Sequence, residues 1–296
     1  MFIGSRPYDV LDTLSGWGSF MLFKILFKTK AECDYFCRML KEHKGIYFYT
    51  YEEQNMFVLV LRDVRLEEII IPFIKVYITF QLKHNIESII RTVYYYEHDE
   101  EIDRITEWTE YLLVDPQFMM LRFRHETLLN YLQQQLFTQF TYLNNAKEIY
   151  YDTVTLFQLK QFHEELVEIV GFAIDELKRE EEFQTILETM RTFIRTQTSK
   201  CSLLHVIRSE YFRLFDDHGR EISNDEISKA MSRTPLYLFG LTDDEQMISP
   251  ILSLLPERLY IYGTDAFDGT VLTLLKIFEE RAHFLSLHQF PFQMNS

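Results

Sequence analysis

The chain has 296 residues, of which 47% are hydrophobic and 16% aromatic, and its formal net charge is −15. It is too apolar to be disordered and long enough for more than one core, because single cores stop growing near this size. Its acidity disfavours a nucleic-acid partner, since lysines and arginines never run longer than two and give no basic stripe for counterion release.

Cys33, Cys37 and Cys201 are an odd set without CxxC spacing, which argues against a disulfide framework or a zinc ribbon and for a reduced, cytoplasmic setting. With only 9 Gly and 7 Pro, long helices are favoured over a many-turned sandwich or barrel.

In chain order, residues 1–18 read as an amino-terminal extension, with acidic residues where a secretory signal needs an apolar core. "FMLFKILF" (20–27) predicts a strand, and the following segment places Cys33, Phe36, Cys37 and Leu40 at helical spacing. On that apolar face the two cysteines read as small buried thiols. Two strands follow, 46–51 and 56–61, joined by the polar "EEQN" turn. A helix is expected from about 65 to 96, with a kink at Pro72. Its apolar stretch "IIIPFIKVYITFQL" is 14 residues long, short of the roughly 20 a spanning helix needs, so no membrane span is expected.

Residues 97–200 hold only Pro116 and Gly171 as breakers and predict a helical middle. Its best stripe is Leu159, Phe162, Leu166, Ile169, Val170, Ala173, Ile174 and Leu177. The stripe runs into five carboxylates against two bases over 175–182. Glu180, Glu181 and Glu182 there are either a solvated face or the docking site of a basic protein partner.

After Lys200 a hairpin is expected, with "DDHG" before the next polar segment, then a helix broken at Pro256, a buried strand from Leu259, a helix over 270–282, and a last strand in "HFLSLHQF". The fold class is therefore helix-rich α+β, divided as a small α/β domain (19–96), a helical domain (97–200) and a carboxy-terminal α/β domain (201–296).

Chemistry is sparse. No HExxH, GxSxG or P-loop occurs, and the sequence implies no cofactor, no catalytic residue and no resident metal. "GTDAFDGT" offers Thr264, Asp265, Asp268 and Thr270, too few oxygens for a calcium loop of the helix-loop-helix kind. Two readings stay open: a strand-to-helix turn with Asp268 or Thr270 capping the next helix, or an anion or divalent-metal site.

The run from Asp152 to Phe162, followed by "EELVEIVGFAIDELKREEEF", resembles the YtxC-like sporulation proteins of endospore-forming bacteria. "FRLFDDHGREI" and "LLPERLYIYG…TVLTLLKIFEER" are similar in content and order, and "YYYEHDEEIDRI" adds to the likeness over about residues 20 to 285. Thr153 and Gln158 stand where the family has Gly and Arg, and no Cys follows Cys201. The resemblance implies a process, spore formation, and no particular reaction. A non-enzymatic interaction or regulatory protein is expected, the alternative being an enzyme or ligand-binding protein with its site at Gly263–Thr270.

Overall fold

The computed structural model describes residues 22–41, 46–62, 66–140, 148–208, 212–234 and 248–293; the extension read over 1–18 lies outside these. The protein is helix-rich α+β with two four-stranded sheets. It divides into two compact units, 1–177 and 178–296, and the division falls inside a single helix.

In the first unit, β1 (Leu22–Phe27), β2 (Tyr47–Glu53) and β3 (Met56–Arg62) form an antiparallel sheet with β3 between the other two. Ile25 and Phe27 alternate into the core, and Val58 to Leu61 are buried without alternation. Between β1 and β2 runs α1 (Lys30–Lys41), which buries the predicted stripe of Cys33, Phe36, Cys37 and Leu40. A reciprocal cap starts this helix: Glu32 accepts from the Thr29 hydroxyl at 2.7 Å and its own N–H donates back to that oxygen at 3.3 Å.

The helix expected after β3 is present as α2 (Leu66–Val76), a π-helical turn (Tyr77–Gln81) and α3 (Leu82–Thr92). Pro72 lies inside α2, and the irregular turn comes five residues after it. Then follow α4 (Asp99–Val114), α5 (Pro116–Phe123) and α6 (Leu128–Phe140). Asp115 ends α4 and caps α5, accepting from the Gln117 N–H at 3.0 Å with Pro116 in the first turn.

The stretch expected to be wholly helical contains a strand, β4 (Glu148–Tyr150), which pairs parallel with β1 and extends the sheet to the order β2-β3-β1-β4. Three residues are too few to show alternation, and what fixes them is tertiary: Ile149 is buried opposite Ile25, and Glu148 meets Lys24 at 2.8 Å. The unit continues with α7 (Tyr151–Gln158) and the first half of α8 (Lys160–Thr196), whose stripe from Leu159 to Leu177 is buried as its spacing predicted.

The second unit is built around β5 (Cys201–Arg208), β6 (Phe212–Phe215), β7 (Pro256–Gly263) and β8 (Ala282–Ser286), in the order β6-β5-β7-β8. The expected hairpin is β5 and β6, while β5, β7 and β8 run parallel. A capped helix, α9 (Asn224–Ser232), follows the hairpin, and α10 (Ser249–Leu254) precedes β7. The strand expected from Leu259 opens three residues earlier, because Leu255 turns left-handed (φ 43°) and Pro256 pairs opposite Cys201 as a first strand residue, where proline is tolerated. The helix expected over 270–282 is α11 (Gly269–Phe278); Glu279 at φ 51° ends it, so that Ala282 can begin β8.

One sheet face packs Leu204, Val206, Leu259 and Ile261 against α11 and the last turns of α8. The other gathers Ile207, Phe215 and Tyr262 with Phe290 from the tail. That tail also constrains the turn after β6, since Gly219 has φ 80° and a Cβ there would lie 2.4 Å from the Phe292 ring.

A second close approach lies in the first unit. A Cβ on Gly171 would sit 2.6 Å from the Tyr94 hydroxyl oxygen, which donates to the Val167 carbonyl at 2.9 Å. Gly171→Ala gains about 1 kcal/mol of helix propensity and loses about 1 kcal/mol by displacing that hydrogen bond. Denaturant unfolding is therefore expected to show near-neutrality in the parent and a gain of about 1 kcal/mol in a Tyr94→Phe background. Loss of more than about 2 kcal/mol in both backgrounds would mean the backbone, not the hydroxyl, sets the contact.

Candidate functional site

The loop singled out by the sequence joins β7 to α11. Asp268 is the N-cap: its Oδ1 accepts from the Thr270 and Val271 N–H groups at 3.1 Å each. Its Oδ2 takes Nε and Nη2 of Arg208, at the carboxyl end of neighbouring β5, at 3.3 and 3.1 Å. Burial pushes this carboxyl up, but the Arg208 guanidinium and the two helix N–H groups more than offset it and hold it below the usual range. Asp265 turns inward on the loop, accepting from the Phe267 N–H at 2.8 Å, while Thr264 is exposed and Thr270 half-buried. The loop thus brings Asp265, Asp268 and Thr270 into one turn, with the Asp268 carboxylate committed to capping and to Arg208. Among the described residues, no group of three or more His, Cys, Asp or Glu is placed to hold a metal ion.

On the other face of the same strands, His205 Nδ1 and the Tyr262 hydroxyl lie 2.9 Å apart inside a cluster completed by Tyr260, Phe290 and Phe292. Burial lowers the His205 pKa, with Asp217 and Asp216 pulling the other way. Glu180, Glu181 and Glu182 are placed together on α8, all exposed. All three cysteines are free thiols.

The polar cluster that sequence reading missed surrounds the π turn. Tyr77 is fully buried, and its hydroxyl accepts from Asn85 Nδ2 at 3.2 Å and lies 3.2 Å from His163 Nε2 on α8. Asn85 Nδ2 is also 3.1 Å from that nitrogen. An amide nitrogen only donates, so Nε2 must accept, Tyr77 donates to it, and the imidazole is neutral with its proton on Nδ1. Burial lowers the His163 pKa, partly opposed by a hydrogen bond to the Leu159 carbonyl, and burial pushes Tyr77 up to about 12. One turn on, Gln81 Nε2 donates to Glu32 at 3.1 Å and to Asp152 at 2.9 Å, and Lys28 pairs with Asp152 at 2.8 Å.

The π turn makes this convergence possible. In a regular helix Tyr77 and Asn85, eight residues apart, point about 80° away from each other. The i→i+5 turn, closed by the Leu82 N–H on the Tyr77 carbonyl, absorbs one extra residue. Asn85 then stands as position i+7 would, on the face of Tyr77. No sequence signal announced that turn, although "TKAE" at 29–32 is a legible capping box that would have flagged Glu32. His163 was read only for zinc ligation, within "HEEL", and its hydrogen-bonding role went unseen.

Two small mixed sheets backed by helices, with a polar cluster built on a π turn, define a helix-rich α+β class of protein. The family model for the YtxC-like family matches residues 66–283, well over half of the sequence, and the chain belongs to that family. A curated relative, "Uncharacterized protein YtxC" of Bacillus subtilis (strain 168), is 26% identical over 139 residues, covering 45% of this chain and 47% of that protein. The chain thus spans about half the length of the curated relative it matches. No solved structure matches it. The matched region includes Tyr77, Gln81, Asn85, Asp152 and His163 and leaves out β1 to β3.

Because the folded state lowers the His163 pKa, the unfolded chain binds the extra proton first as pH falls. The network's contribution is complete above the ordinary value of 6.5 and is lost progressively below it. Unfolding measured between pH 6.5 and 5.5 is expected to take up fewer protons, by up to about one, in His163→Gln than in the parent. His205, shifted the same way, leaves a residual dependence in both. An unchanged pH slope in the variant would show that Nε2 is not held as an acceptor.

Proposed function

We propose that this protein is a non-enzymatic interaction or regulatory protein that acts in the cytoplasm during spore formation and docks a basic protein partner. The observation that carries the reading is the exposure of Glu180, Glu181 and Glu182 side by side on α8, in a chain of net charge −15. Adjacent carboxylates in water form a negative focus that steers a cationic partner and fades once salt shortens the Debye length. Membership of the YtxC-like family, and the likeness of the 152–183 block to sporulation proteins, support the process assigned.

A second reading, an anion or divalent-metal site at Thr264, Asp265, Asp268 and Thr270, is favoured by position. The loop lies at the carboxyl end of β7 in a run of parallel strands, where open α/β sheets bind ligands. The engagement of both Asp268 oxygens weighs against it.

The first reading is tested by affinity capture of the tagged protein from sporulating cells, with the Glu180→Lys, Glu181→Lys, Glu182→Lys triple variant in parallel. A specific partner is expected whose binding weakens in the variant and on raising salt from about 0.1 to 0.3 M. Capture indifferent to both changes would remove these glutamates from the interface. The second reading predicts a saturable thermal shift with magnesium, manganese, phosphate or nucleotide that Asp265→Ala abolishes, and the absence of any shift rejects it.

A further inference from the structure

The outward side of α4 carries two kinds of chemistry in sequence. Glu100, Asp103, Glu107 and Glu110 recur at helical spacing and are all exposed, and the same stripe ends in Tyr111 and Val114, 56% and 71% exposed. Only Asp115 separates it from α5, where Met120 and Leu121 are 46% and 86% exposed. The opposite side of α4 is spent on the core, through Ile102, Ile105, Leu112 and Leu113. The apolar residues are therefore a surplus beyond what folding uses, Tyr111 and Val114 ending the acidic stripe and Met120 and Leu121 following on the next helix.

We propose that this α4–α5 face docks a basic amphipathic helix of a protein partner, its apolar residues covering Val114 and Leu121 and its lysines or arginines facing Glu107 and Glu110. Charge decides among the occupants. An anionic lipid surface is repelled by the carboxylate stripe. A second copy joined by a two-fold axis would set the same stripe against itself, which costs more than the apolar contact returns at low salt. A cationic helix satisfies both halves of the face at once, in the manner of helices read through i, i+3, i+4 and i+7 anchors. The inference rests on the interaction reading above but uses a surface separate from Glu180–Glu182.

The test titrates the full chain with a fluorescent 18-residue Leu/Lys peptide, its leucines at i, i+3 and i+4 spacing, and with a Leu/Glu counterpart. The Leu/Lys peptide is expected to bind and to lose at least tenfold in affinity both in Val114→Asp/Leu121→Asp and in Glu107→Lys/Glu110→Lys. These residues are exposed, so the variants should fold, and two chemically different variants guard against failure of either. Equal binding to the Val114/Leu121 variant would reveal adsorption by charge alone and overturn the proposal. Binding of the Leu/Glu peptide, binding to phosphatidylglycerol vesicles, a dimer that Leu121→Asp dissociates, or no peptide binding would each overturn it as well. Loss of peptide binding only in the Glu180, Glu181, Glu182 triple variant would overturn this face while leaving the interaction reading in place.

Discussion

The first unit hangs on the burial of one tyrosine. Tyr151, the first residue after β4, stacks on Phe27 of β1 with ring centroids 5.0 Å apart and packs on Phe73 of α2 at 4.4 Å. Its hydroxyl donates to the Phe73 carbonyl at 3.0 Å, so the ring is buried without an orphaned polar group. Three segments far apart in sequence meet on that side chain: the interior strand of the sheet, the helix leading into the π turn, and the strand that returns from α6. The parallel pairing of β4 with β1 then brings Asp152, the next residue, to Gln81 and Lys28. Packing and polar cluster are thus two consequences of the same meeting point.

What could be read from the residues depended on whether local periodicity or distant contact decided the outcome. The stripe of α8, the strands β1 to β3, the hairpin and the helical run that contains Pro72 are matters of spacing over a few turns, and spacing showed them. The cap at Asp268 was legible for the same reason. β4 was not, because Ile149 becomes a strand residue only when Ile25 is beside it. The start of β7 was obscured by a proline that looks like a breaker until Leu255 is known to turn left-handed before it. The π-turn cluster was the least legible, since its members are sorted onto one face by a hydrogen-bond register that composition does not encode.

Electrostatics divides the molecule in another way. The chain has 45 acidic and 30 basic residues, so carboxylates outnumber cations by fifteen whatever the pairing. Arginines take some of them in geometries that fix structure: Arg208 on Asp268, Arg195 on Glu279, Arg213 on Glu221, and Arg220 on both Asp216 and Glu226. The surplus must face water, and it collects along α4 and α8. A solvated surplus costs the fold little and leaves long-range attraction for cations, which is the physical ground common to both proposed docking faces.

The extra residue held in the π turn also bears on how this chain can tolerate change. Every position after Gln81 in that helical run keeps its orientation only because five residues, not four, fill the turn. Losing a single residue there would restore ordinary helical geometry and leave Asn85, Ile86 and Ile90 on their present faces, whereas straightening the turn with all its residues kept would rotate them by about 100° relative to everything before them. The turn should therefore accept the loss of one residue more readily than the gain of one. In this helix the π turn and the number of residues between Tyr77 and Asn85 compensate each other, so that a change in either alone turns the two side chains apart.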